Sequence, residues 1–183
     1  MSRAYKFHDP EGIYFITFAT VGWIDVFIRK EYKDRVLESL QFCQEHKGLN
    51  LHAWCIMSSH VHMIASAKKG FDLTGIIRDL KKFTARQLLK AIKENNEESR
   101  KEWMLALFKR AGELNSNNKI FQFWRQDNKP IELYSNAVMD QKLNYLHNNP
   151  VEAGIVENAE DYLYSSAKDY AGMQGLLQLE LLE

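Results

Sequence analysis

Leu51-His52-Ala53-Trp54-Cys55-Ile56-Met57-Ser58-Ser59-His60-Val61-His62-Met63-Ile64-Ala65 is the stretch on which the fold turns. Two strand-like runs, 51–57 and 60–65, flank Ser58-Ser59. A two-residue joint between such runs predicts a tight hairpin, although Ser-Ser is a weaker turn signal than Asn-Gly. His60 and His62 stand two apart in the second run, so a strand points both imidazoles to one face.

Upstream, residues 13–20 are dense in aromatic and β-branched side chains and read as a central strand. Residues 31–46 carry Val36, Leu37, Leu40 and Cys43 at helical spacing, and Gly48 stops the helix. Downstream, residues 72–95 form an amphipathic helix striped by Ile76, Leu80, Phe83, Leu88 and Ile92, with Asp72 or Thr74 as cap. A second helix over 98–114 is built on Trp103, Leu107 and Phe108, and 115–118 is a loop. Residues 119–125 read as a strand. A last helix runs from Ser135 or Asn136 to Pro150, with Met139, Leu143 and Leu146 as its buried side. The end, 176–183, is expected as a short docking helix or a frayed tail.

Without the extra helix, the first six elements match βαββαβ. The expected class is therefore α+β: a ferredoxin-like antiparallel sheet with helices on one face and an added C-terminal helix bearing Tyr145. Neither internal repeats nor an interdomain linker is visible, so residues 1–183 are expected to form one domain. A helical insertion lies near 97–118 and an acidic tail begins at about 171.

The 183 residues are 45% hydrophobic and 26% charged, which excludes wholesale disorder, collagen-like repeats and a disulfide scaffold. Cys43 and Cys55 lack Cys-x-x-Cys spacing and read as buried thiols in a reducing compartment. The first residues show no signal-peptide pattern, and 13–24 is too short and too rich in Thr and Gly to span a bilayer. The expected location is the cytoplasm, away from membranes.

Lys+Arg and Asp+Glu both number 24, and a neutral total argues at first against a nucleic-acid partner. The total hides a pattern: residues 68–129 hold 15 basic and 8 acidic side chains, and residues 130–183 hold 2 and 9. Only clustering in space decides whether a phosphate backbone is attracted.

Three groups of residues could carry chemistry. His60 and His62 either share a metal ion or are two polar residues on a half-solvated strand. Zinc-type Cys/His spacing and a His-Glu-x-x-His helix are missing. In the last helix, Tyr145 and Asn149 are four apart and share a face, or else 148–151 is only an exit turn. His147 points elsewhere, so it is a poor base for Tyr145. Arg78, Lys82, Arg86 and Lys90 recur every four residues, with Lys81 beside them, as a phosphate-binding stripe or a solvated face. Trp124 and Arg125 suit stacking on an unpaired base, and Trp124 suits a core equally.

Taken together these residues resemble the single-tyrosine HUH transposases, including the REP-associated tyrosine transposases. The matching words are Cys55-Ile56-Met57-Ser58-Ser59-His60-Val61-His62-Met63-Ile64, Phe123-Trp124, Tyr145-Leu146-His147-Asn148-Asn149-Pro150-Val151-Glu152-Ala153-Gly154-Ile155-Val156 and Asp161-Tyr162-Leu163-Tyr164-Ser165-Ser166. Ser58 stands where many members have proline, and the stretch near 97–118 is extra. The resemblance implies that His60, His62 and Asn149 bind Mg²⁺ or Mn²⁺ and that Tyr145 attacks a phosphate, leaving a 5′-phosphotyrosine and a free 3′-OH. It implies single-stranded, hairpin-containing DNA as partner, engaged by Arg78, Lys81, Lys82, Arg86, Lys90, Trp124 and Arg125, in a monomer or homodimer. Rival readings are a domesticated hairpin-binding protein that does not cut, a replication-initiator-type nickase, and a metal-dependent small-molecule hydrolase.

Overall fold

A computed structural model describes residues 7–115, 120–126, 128 and 130–182. Strand β1 (Tyr14–Ala19) leads through two short 3-10 turns into helix α1 (Lys30–His46). Strands β2 (Leu49–Ile56) and β3 (His60–Ala67) follow, then helices α2 (Leu73–Glu94) and α3 (Lys101–Glu113). A two-residue strand β4 (Ile131–Glu132), helix α4 (Asn136–Glu152) and the single-turn α5 (Ala167–Tyr170) complete the order. The sheet order is β2-β3-β1-β4, every pair antiparallel, which is the order the βαββαβ pattern demands.

The expected hairpin is present. Met57 N donates to His60 O at 2.8 Å, so Ser58-Ser59 is the whole loop. Gly48 follows α1 at φ +71°, and a Cβ there would run into the ring of Phe71, so glycine is required on both counts. Asp72 caps α2 by accepting from Thr74 N and Gly75 N at 3.0 and 2.9 Å.

Four expectations need correction. The strand placed at 119–125 is not one: among the described residues there, only Trp124 bridges, to Thr20, and the regular pairing comes later, at Phe15–Ile131 and Tyr14–Glu132. The interval from Trp124 to Ile131 holds two more residues than its counterpart on β1, so the two pairings do not share one register. Phe83, expected in the α2 stripe, and Trp103, expected to anchor the second helix, are both about half exposed; Ile77 and Thr84 on α2 and Met104 on α3 fill those places. Helix α4 does not end at Pro150 but runs through it to Glu152. The tail is neither helical nor frayed. It lies along the free edge of β2, where Glu180 N donates to Leu51 O and Gln44 holds Gln178 O. Residues 116–119 of the expected loop and strand lie outside the described residues. No described helix is long and apolar enough to cross a membrane.

Helices α1 and α2 pack together over one face of the sheet, sealing Phe18, Val61 and Met63 with Leu40, Leu80 and Leu88. The other face carries His60 and His62, and α4 lies across it.

Candidate active site

Antiparallel register places Thr17 opposite His62 and Ala19 opposite His60. Thr17 Oγ1 lies 2.7 Å from His62 Nδ1, and Ser59 Oγ lies 3.2 Å from His60 Nδ1. With the proton on Nδ1, Thr17 accepts it and the Nε2 lone pair of His62 is left facing Asn149, whose Nδ2 is 3.5 Å away. The two imidazole rings sit 4.6 Å apart. Burial pushes the His60 imidazole down to about 4. Burial, then the neighbouring His60 and Lys142, pushes His62 down to about 3. Both rings are therefore neutral at pH 7, the form in which imidazole donates to a metal.

Tyr145 stands beside this pair. Its ring is 5.4 Å from His62 and 6.0 Å from Phe15, and its 43% exposure leaves the phenol open to a ligand. Asn149, one turn on, keeps its place because α4 stays helical through Pro150. Proline removes one backbone donor inside the helix, and here the residue before it remains helical. Among the described residues no three His, Cys, Asp or Glu side chains cluster to hold a metal. A metal ion here could take the two imidazoles and, with the Asn149 amide turned so that its oxygen instead of Nδ2 faces His62, that oxygen as a third donor. Two nitrogens and an amide oxygen leave most positions open for water and phosphate oxygens, as a hard divalent cation requires.

Buried neutral hydrogen bonds fix α4. His147 points away from Tyr145, and its Nε2 lies 2.9 Å from Ser166 Oγ. Trp54 N donates to the same hydroxyl at 2.9 Å, and Ser166 N donates to Trp54 O. Tyr162 O–H donates to Ile56 O, and Ile56 N donates to Tyr164 O. The Tyr-Ser-Ser segment thus extends the sheet at β2 and clamps the tyrosine helix onto it.

A cleft of ≈ 740 Å³ runs between α2 and residues 120–126 and 128, lined by Arg78, Lys81, Lys82, Arg86 and Arg125. Lys81 is partly committed to structure, donating to Arg125 O at 2.7 Å and Asn128 Oδ1 at 2.5 Å. Arg78 binds Asp79. Lys90 pairs with Glu94 at 3.9 Å and does not line the cleft. The stacking role expected of Trp124 is corrected: its ring is 5% exposed, packs on Phe18 and Phe27, and donates through Nε1 to Thr84. It is a core residue.

Two contributors were missed. Lys142 holds its ammonium 5.4 Å from the Phe15 ring centre and 5.8 Å from that of Tyr145. Its i−3 spacing from Tyr145 was a usable sign. Thr17 could be found only from register, which no single strand reveals.

Residues 16–111 match the family described as Transposase IS200 like, a span that contains His60 and His62 and stops short of Tyr145. The fold of the whole chain matches 94% of a REP-associated tyrosine transposase solved bound to a REP hairpin, at TM-score 0.66 and 16% identity. A Deinococcus radiodurans chain described as a transposase matches at TM-score 0.47 and 18% identity, over 81% of this chain and 95% of that one. No curated protein matches the sequence.

Proposed function

Because the chain belongs to the IS200-like transposase family, we propose that it cuts and rejoins single-stranded, hairpin-containing DNA through a covalent bond to Tyr145. One observation carries this reading: Tyr145, His62, His60 and Asn149 come from distant parts of the sequence and converge on one face of the sheet. His60, His62 and Asn149 would hold a Mg²⁺ or Mn²⁺ ion, which acts as a Lewis acid on the scissile phosphate.

The chain's own groups do the rest. The phenol oxygen of Tyr145 gives up its proton and bonds to phosphorus. The P–O3′ bond breaks, and O3′ takes a proton to become a free 3′-OH. The Lys142 ammonium, 5.8 Å from the centre of the Tyr145 ring, would meet the phosphate that the phenol attacks. Phosphotyrosine conserves the bond energy for rejoining, so no nucleotide cofactor enters. Arg78, Lys81, Lys82, Arg86 and Arg125 line the cleft that would take the phosphate backbone. Tyr145 lies beside the histidine pair of its own chain, which supports action in cis.

Incubation with labelled single-stranded DNA and Mn²⁺ tests the proposal. A protein–DNA adduct that survives denaturing electrophoresis is expected, and Tyr145→Phe should abolish it. Persistence of the adduct in that variant would reject Tyr145 as nucleophile; binding without any adduct would favour the non-cleaving hairpin binder.

A further inference from the structure

Just past the end of β1 the chain does something costly. Gly22 has φ +64° and Trp23 follows at φ +57°, the one non-glycine with positive φ among the described residues. Left-handed backbone is disfavoured for a bulky L side chain and persists where the surroundings impose it. Burial does not explain it, because Trp23 remains 50% exposed. What the conformation achieves is placement. The indole stands edge-on to His60 at 5.4 Å, and the guanidinium carbon of Arg125 lies 5.5 Å from its ring centre.

The position relative to Tyr145 matters as much. Tyr145 contacts Phe15 and His62, toward the start of β1 in the register, and Trp23 contacts His60, beyond its end. The four rings form a row: Trp23, His60, His62, Tyr145, with consecutive centres 5.4, 4.6 and 5.4 Å apart. A phosphate held at the middle of that row meets the nucleophile from one end. In-line displacement at phosphorus sends the leaving group to the other.

We infer that Trp23, backed by Arg125, is the stacking platform for the base of the nucleotide immediately 5′ of the scissile phosphate, the one whose O3′ leaves. This rests on the proposed tyrosine chemistry. Half-exposed indole beside a guanidinium suits any base, because every base presents a π face and the cation adds attraction. The strand end released by cleavage, carrying its new 3′-OH, thereby stays stacked on the protein instead of diffusing away, and remains in place for rejoining. The aromatic–cation pair expected at Trp124 and Arg125 is thus Trp23 and Arg125.

The test combines Trp23→Gly, which frees the backbone to keep φ positive, with abasic substitution in the DNA. Trp23→Phe is the conservative control. The cleaved position is first mapped on wild-type protein by sequencing the 3′-OH ends released from a random single-stranded library. Binding is then measured in a Tyr145→Phe background, where cleavage plays no part. Trp23→Gly should retain the wild-type circular-dichroism spectrum yet bind about 10-fold more weakly, and Trp23→Phe should recover most of the loss. Removing the base 5′ of the cleaved phosphate should cost wild type a similar factor and cost Trp23→Gly nothing further. Unchanged binding by Trp23→Gly, or losses that multiply, would overturn the platform even if the adduct forms. If no adduct forms but Trp23→Gly still weakens binding, the cleavage reading fails and takes the scissile-nucleotide assignment with it, leaving Trp23 as a base-binding residue only. If wild type binds no single-stranded DNA, both fall.

Discussion

Two regions of the molecule are fastened with different chemistry. At the β2 edge most fastenings are neutral hydrogen bonds: Ser166 to Trp54 and His147, Tyr162 to Ile56, and the backbone of Glu180 to Leu51, with Tyr164 donating to the Asp34 carboxylate as the charged exception. Where the connection after α2 meets the start of α1 the fastenings are ionic. Glu98, its side chain 1% exposed, accepts from Arg29 at 2.7 Å and Arg100 at 3.3 Å, and Arg100 reaches Asp25 at 2.6 Å. Lys81 pins the loop at 125–128. The first set fixes helix α4, and with it Tyr145, against the sheet. The second stiffens a cationic cleft and its neighbouring Trp23 loop. Salt and acid should therefore act unequally on the two regions.

The largest expected effect comes from cutting the ionic brace. Glu98→Ala leaves Arg29 and Arg100 facing each other half-buried and should cost about 3 kcal/mol in urea unfolding at pH 7. Burial alone would push the Glu98 carboxyl up, but hydrogen bonds from the Arg100 backbone and the Arg29 and Arg100 side chains hold it below the ordinary carboxylate range. Its contribution is thus complete above the unfolded value of about 4.3 and is lost as pH falls through the lower folded value. The stability gap between wild type and Glu98→Gln should narrow over that acidic window; a gap that stays constant with pH would show that the brace is not ionic.

Ser166→Ala comes next. It strands the Trp54 N–H and the His147 ring without their shared hydroxyl, for about 2 kcal/mol. It should also slow adduct formation by about 10-fold or more, since small misplacements of a nucleophile are expensive. Neither change should depend on salt. A salt-sensitive Ser166→Ala phenotype would erase the contrast between the two regions.

The smallest effect belongs to the exposed cations. Lys82→Ala with Arg86→Ala should weaken single-stranded DNA binding about 10-fold at low salt and flatten the log Kd against log[salt] slope by about 1.4, at roughly 0.7 per phosphate contact. Lys90→Ala, already paired with Glu94 and outside the cleft, should change little. Equal losses from the two variants would mean that the field of the whole helix, not the cleft, holds the DNA.

Much of this arrangement was legible in the residues. The hairpin at Ser58-Ser59, the αL turn at Gly48 and the Asp72 cap follow from local chemistry, and with them the strand order of the sheet. His60, His62, Tyr145 and Asn149 could be nominated by spacing and family resemblance because each pair lies within one element. What stayed hidden depends on register and edges. The interrupted edge strand has too few regular pairs to impose an alternating pattern, so 119–125 looked more strand-like than the residues that do pair. Trp124 and Trp23 exchanged roles for a related reason. Aromatic identity does not reveal which ring is buried, and a positive φ at a tryptophan has no sequence signature.

Asn149 and His62 are separated by 87 residues, and that separation is also a delay. At about 5–20 residues per second of synthesis, the β2–β3 hairpin with both histidines is complete roughly 4–17 s before Asn149 has been made. Ser166, which fastens the tyrosine helix, comes later still. A ribosome-bound chain therefore displays its histidine pair for seconds without Tyr145 or Asn149 beside it, and the proposed site is assembled only as the last elements of the fold lock into place.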